Sequence, residues 1–189
     1  AGTVKAVFGV KPNPDFTSLA EAPRTIFNVN VTPQRRVATQ ATSLERLKAI
    51  GEEAGGSIND VVLAASSGAM RRFLLELGEL PRKSLVTSIP VALPRDSNQA
   101  GGNAISFANV RLGTDIEDVR ERFDVIRRSS TAGREFLKQM STKTLMDYTV
   151  LISSPQILTR LPGIGSRVPP TYNVIISNVP GPRGKLYFL

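Results

Sequence analysis

Residues Tyr172 to Pro182 read YNVIISNVPGP, and the fold turns on how this stretch is read. Val174, Ile175 and Ile176 form an unbroken apolar run, the pattern expected of a strand covered on both faces. Two small polar residues, Ser177 and Asn178, follow at once. Val179 then leads into Pro180-Gly181-Pro182, where two prolines fix φ and brace a turn. On a bland reading this is a buried strand that ends in a turn. On a functional reading a hydroxyl and an amide stand at a strand's end, where α/β folds place ligands, and the prolines hold them still.

Working outward, strands alternate with helices. Thr25 to Ser43 favours extended structure, with alternation in VATQAT (Val37–Thr42). Thr42-Ser43-Leu44-Glu45 carries a capping-box signal and opens a helix to about Ala54, with Leu44, Leu47 and Ile50 on one face. Gly55-Gly56 stops it. Ser57-Ile58-Asn59-Asp60 opens a longer helix to about Leu77, closed by Gly78 and Pro81. Its first half, VVLAASSGAM, is nearly all apolar or small and is expected to be buried.

Ser84–Leu93 reads as a strand and Pro94–Asn103 as a polar, glycine-rich loop. Ala104–Leu112 is a second strand, with Ile105, Phe107 and Asn109 alternating against Ser106, Ala108 and Val110. Thr114-Asp115-Ile116-Glu117 signals a third capping box and an amphipathic helix to about Met140. Another helix is expected from Thr142 to about Leu161, interrupted near Pro155. Pro12, Pro14 and Pro23 leave residues 1–25 as a linker or wrapping arm. The expected class is α/β, a mixed β-sheet packed with helices. Lys185–Leu189 reads as an apolar strand without a cap or return, so the chain is expected to be a piece of a longer polypeptide.

Composition narrows the chemistry. Hydrophobic residues make up 41% and charged residues 21% of the 189, enough for a packed core. The absence of cysteine excludes disulfides, thiolate catalysis and Cys-type zinc sites, and a reducing cytoplasm fits. The absence of histidine removes the commonest general base and metal ligand, so no imidazole of this chain does chemistry and no metal site is expected. Lys and Arg number 24 against 16 Asp and Glu, a net charge of +8 that suits a phosphorylated ligand, an anionic membrane or nucleic acid. The basic residues are scattered and aromatics are only 6%, so no stacking platform for nucleic acid is in view.

The other motifs have plain structural readings. Asn59-Asp60 sits where a first-turn carboxylate suits the helix dipole, beside Ser57 as cap. Its functional reading is the organisation of a neighbouring loop or ligand. Gly101-Gly102 permits close backbone approach in the 94–103 loop, which otherwise is a plain connection between strands. Ser66-Ser67-Gly68 lacks a base and reads as a close-packing surface.

Taken together, TPQRRVATQ (Thr32–Gln40), GGSINDVVL (Gly55–Leu63), SIPVALPRD (Ser88–Asp96) and YNVIISNVPGP followed by LYF resemble the bacterial wax ester synthase/diacylglycerol acyltransferase family. Its Asn-Asp and NVPGP motifs are both present, in order, and the resemblance runs from about Ile26 to the end. It implies a CoA-dependent acyltransferase-like lobe, half of a two-lobe enzyme, with residues 1–25 as inter-lobe linker and 26–189 as a C-terminal lobe cut short.

The implied reaction moves a fatty acyl group from acyl-CoA, a substrate rather than a bound cofactor, to a long-chain alcohol or diacylglycerol. The general base belongs to HHxxxDG on the N-terminal lobe, which would be this chain's partner. The wider superfamily places the serine of an Ile-Ser-Asn strand end toward the tetrahedral intermediate. Ser177 is thus the implied oxyanion donor. Asn178, Val179, Pro180, Gly181 and Pro182 are implied to shape the channel, with Asn59 and Asp60 structural beside it. The implied location is cytoplasmic, peripheral at the inner membrane or lipid bodies. A non-catalytic basic module that binds anionic membrane or nucleic acid stays open as the second reading.

Overall fold

A computed structural model describes residues 13–29, 32–92, 105–158, 168–179 and 181. Helices α1 (Leu44–Glu53) and α2 (Ile58–Glu76) come first, then strands β1 (Val86–Ala92) and β2 (Ile105–Arg111). Helices α3 (Val119–Lys138) and α4 (Thr142–Leu158) and strand β3 (Val174–Ile175) complete the described elements. The sheet order is β2-β1-β3. β1 and β2 are antiparallel, with Val86 opposite Arg111 and Ala92 opposite Ile105. β3 runs parallel to β1, with Val174 beside Thr87 and Ile175 beside Ser88. The sheet is mixed and the class is α/β, as the alternation of elements predicts.

The core joins Leu63 and Leu74 of α2, Ile89 of β1, Ala108 and Val110 of β2, Ile126 and Leu137 of α3, and Leu145, Tyr148 and Ile152 of α4. Each fully buried aliphatic side chain contributes about 1.5–3 kcal/mol of transfer free energy. Tyr148 is buried with these apolar groups, and desolvation pushes its hydroxyl pKa up to about 12.

The strand buried on both faces is β1, not the apolar run of Tyr172–Pro182. Leu85, Val86, Thr87, Ser88 and Ile89 are all buried. Ile175 is 56% exposed, because β3 lies at the edge of the described sheet and pairs only with β1. Double-sided burial follows sheet position, and an apolar run does not report it.

β2 departs from its pattern in a related way. The face of Ser106, Ala108 and Val110 is the more buried, while Ile105 is exposed and Phe107 half-buried. Small residues win that face because α3 packs closely on β2. A Cβ on Gly133 would sit 3.1 Å from the Ala108 Cβ. Asn109 is also buried, its amide donating to Thr171 O at 2.8 Å.

Several helix boundaries differ from expectation for visible reasons. α1 is capped by Ser43, whose hydroxyl accepts from Arg46 N. Glu45 falls one position short of the capping-box site, and the expected Leu44/Ile50 face is exposed rather than buried. α3 starts at Val119 behind the cap Asp118, not at Thr114. The Thr114 hydroxyl is taken by Leu85 N at 2.8 Å, and Gly113 turns the chain with φ of 61°. Only Ser57 and Asp60 form the expected reciprocal capping box.

Three further expectations change. α2 buries one face, including Val61, Leu63 and Ser67, while Ala65 and Ala69 lie exposed. Residues 34–43 form no strand and are exposed throughout, with no described strand alongside to pair with. α4 runs unbroken through position 155 to Leu158. The 94–103 loop, residues 1–12 and Lys185–Leu189 lie outside the described residues.

The Gly133–Ala108 approach sets a test of the packing. Gly133→Val should lower stability by about 1–3 kcal/mol through overpacking. In urea unfolding the midpoint falls with little change in slope. An unchanged midpoint would mean that α3 stands off the sheet.

Candidate functional site

Ser177 and Asn178 leave the sheet after β3, the outer strand of the described sheet. Ile176 N still donates to Ser88 O at 3.3 Å, and the ladder ends there. Ser177, Asn178, Val179 and Gly181 are exposed. Among the described residues, none hydrogen-bonds the Ser177 hydroxyl or the Asn178 amide. Pro180 and Pro182, expected to brace them, lie outside the described residues.

The strand that carries them is held upstream. Asn173, which sequence reasoning passed over, has its backbone N–H bonded to Val86 O at 2.8 Å. Its side-chain Oδ1 accepts from Val86 N at 2.9 Å. One residue therefore serves both backbone groups of Val86 and extends a two-residue strand. Its Nδ2 donates to Pro23 O at 2.6 Å and Asn28 Oδ1 at 2.7 Å. Asn28 Nδ2 in turn donates to Tyr172 O at 3.0 Å. The one sequence signal was an asparagine, a poor strand former, at the head of an apolar strand.

Beside this edge, a cavity of about 60 Å³ is lined by Leu19, Ser88, Phe107, Ile152 and Ile175, with further contributions from Asn109, Ser153, Thr171 and Tyr172. It faces the same side of the sheet as Ile175.

Asp60 does a different job. It is 2% exposed. Oδ2 accepts from Ser57 N at 2.9 Å and Ser57 Oγ at 2.6 Å, closing the capping box. Oδ1 accepts from Ser130 Oγ at 2.6 Å and lies 3.7 Å from Arg134 Nη2. The carboxylate thus ties the start of α2 to the middle of α3. Asn59 is half-buried one position earlier. No contact among the described residues joins Asn59 or Asp60 to Ser177.

Ser67 donates to Leu112 O at 2.6 Å, so the Ser66-Ser67-Gly68 stretch serves packing. Much of the positive charge is also structurally engaged. Arg71 Nη1 donates to Thr114 O at 2.6 Å, and Arg122 Nη1 to Ile116 O at 2.9 Å. Burial pushes the Arg122 guanidinium pKa down, and the charge of Arg71 adds to this against Asp118. Arg128 meets Asp15 and Arg72 meets Glu76. Among the described residues no group of acidic side chains is placed to hold a metal ion.

Removing the Asp60 carboxylate strips a cap and a charged acceptor from a buried junction. Asp60→Ala should cost about 3 kcal/mol in thermal or urea unfolding. A loss below about 1 kcal/mol would show that the junction holds without it, since a cap alone is worth about that much.

Comparison with known proteins follows the same geography. The family model of the wax ester synthase/diacylglycerol acyltransferase (WS/DGAT) C-terminal domain matches residues 101–189. The model of the same family's catalytic domain matches residues 3–62. A Mycobacterium tuberculosis relative that carries a diacylglycerol O-acyltransferase name is 40% identical over 170 residues, 88% of this chain and 34% of that protein. The O-acyltransferase WSD of Acinetobacter baylyi is 35% identical over 176 residues, 93% of this chain and 38% of that protein.

Among solved structures, the wax ester synthase/diacylglycerol acyltransferase from Marinobacter aquaeolei VT8 superposes with a TM-score of 0.70 at 33% identity, covering 85% of this chain and 35% of that one. The chain thus spans a little over a third of the length of these relatives. With both domain models, the curated relatives and the solved structure in agreement, the chain belongs to the wax ester synthase/diacylglycerol acyltransferase family.

Proposed function

We propose that this chain supplies the C-terminal part of an O-acyltransferase that moves a fatty acyl group from acyl-CoA to a long-chain alcohol, giving a wax ester, or to diacylglycerol, giving a triacylglycerol. The observation that carries the reading is the free display of Ser177 and Asn178 at the end of β3. Buried or bonded, the two groups would be turn chemistry. Exposed and unengaged, they suit a surface that meets a second lobe.

In this reading residues 1–25 link the lobes, and the general base is a histidine of HHxxxDG on the N-terminal lobe, since this chain has none. That base takes the proton of the acceptor hydroxyl as its oxygen attacks the thioester carbonyl. Negative charge builds on the carbonyl oxygen, and the tetrahedral intermediate collapses by expelling the CoA thiolate. Ser177 donates a hydrogen bond to that oxyanion, and its benefit appears only as charge develops. Asn178, Val179, Pro180, Gly181 and Pro182 form the wall beside it. Asn59 and Asp60 act at a distance by fixing α2 on α3.

Acyl-CoA is a substrate here, and no bound cofactor is called for. The enzyme works peripherally at a membrane or lipid body, where its lipid acceptors reside. Among the described residues no helix is long and apolar enough to cross a membrane. The acyltransferase names of the relatives favour the enzymatic reading over a basic binding module.

Ser177→Ala in the full-length protein tests the assignment. Loss of one oxyanion donor should lower kcat by about 10²–10³-fold, with the fold intact by circular dichroism. A change below about threefold would remove Ser177 from the mechanism, since one donor is worth far more.

A further inference from the structure

We propose that Asn28 and Asn173 form a lock that fixes the Ser177-bearing strand against the stretch matched by the catalytic-domain model, making them positioning residues for acyl transfer. The inference rests on the functional reading above and names two residues that reading does not use.

The two residues come from opposite ends of the chain. Asn28 lies within residues 3–62, the part matched by the catalytic-domain model, and Asn173 within residues 101–189, matched by the C-terminal model. Their side chains meet at 2.7 Å, and Asn28 also holds the carbonyl of Tyr172. Both amide groups are used in full register. Asn173 gives its Oδ1 to β1 and its Nδ2 to the arm, while Asn28 accepts with Oδ1 and donates with Nδ2. Thr25 caps the 3-10 turn Ile26–Asn28, and the Asn28 side chain closes the reciprocal bond, so the arm holds Asn28 in a fixed pose.

What lies downstream is weakly held. From Asn173 to Ile176 the strand is held on β1 by the two Val86 bonds, by the two ladder pairs Thr87–Val174 and Ser88–Ile175, by Thr87 Oγ1 to Val174 O at 3.2 Å, and by Ile176 N to Ser88 O at 3.3 Å. The bonds at Asn173 are the short ones. Ser177 stands four residues on, at the end of a parallel strand of only two residues. A shift of the strand's anchor therefore moves the serine hydroxyl with little to correct it. A misplacement of about 1 Å is enough to cost about 10²-fold in rate. The arm has anchors of its own as well. Phe16 is buried and Thr17 bonds Ser129 at 2.8 Å, so the arm is fixed at two separated points.

Two variants separate the lock from the ladder. Asn173→Asp keeps an oxygen for Val86 N and removes the donor to Pro23 and Asn28. Asn28→Ala leaves β1 and β3 untouched. Both are made in the full-length enzyme and assayed with acyl-CoA and hexadecanol or diacylglycerol. Each should lower kcat about tenfold or more, with the KM for acyl-CoA within about twofold and a cooperative thermal transition retained. The double variant should be no worse than the poorer single by more than about twofold, because one interaction is lost once.

A kcat within twofold of wild type for Asn28→Ala overturns the lock, and so do losses that multiply in the double variant. If Asn173→Asp does not fold, Asn28→Ala decides alone, since Asn28 sits half-buried at the end of the 3-10 turn that follows the arm. A wild-type protein that transfers no acyl group to either acceptor contradicts the functional reading itself. Active variants with unchanged kcat contradict only the lock.

Discussion

β1 is buried on both faces, and so both rows of its backbone polar groups must be paired within the protein. One row is met by β2 over seven residue pairs. The other row faces β3, which offers only two. At Val86 the shortfall is met by Asn173, whose backbone and side chain together serve the N–H and the C=O. At the strand's entry, Leu85 N goes to the Thr114 hydroxyl and Leu112 N returns to Leu85 O. A buried unpaired amide costs about 1–3 kcal/mol, so these side-chain substitutes are as necessary as the core. The placement of β3, the arm and the turn before α3 all follow from completing β1.

Much of this was legible in the sequence, and the misses share a cause. The Ser57–Asp60 capping box, the glycine stops, β1, β2 and the long helices follow from local rules, and local rules hold where residues meet their own neighbours. The misassigned features were set by distant partners. Thr114 looked like a cap, but Leu85, twenty-nine residues away, claims its hydroxyl. Val174–Ile176 looked doubly buried, but the order of the described sheet puts it on the outside and leaves Ile175 exposed. Leu44 and Ile50 share one face of α1 as the pattern predicts, yet both are exposed, with no described element covering them.

The site divides the same way. NVPGP and Asn-Asp were visible as motifs because residue types at fixed spacing are a sequence property. Their roles diverge only in three dimensions. Asp60 turns inward to Ser57, Ser130 and Arg134, whereas Ser177 and Asn178 are exposed, with no hydrogen-bond partner for their side chains among the described residues. Neither Ser130 nor Asn28 carries a motif, and each is known only by what it touches. A polar side chain seventy or more residues from its partner leaves no periodicity to read.

The two motifs therefore differ in what they touch: Asp60 ties α2 to α3, while Ser177 and Asn178 lie exposed at the end of β3, where the proposed oxyanion site needs them. The claim that ties them together is that Ser177 faces the reacting carbonyl. The most direct measurement is a crystal structure of the full-length enzyme with a non-hydrolysable acyl-CoA analogue. The expected result is Ser177 Oγ at about 2.7–3.1 Å from the oxygen that stands for the thioester carbonyl. A Ser177 hydroxyl turned away from the acyl group, with its oxygen bound instead by other donors, would contradict it.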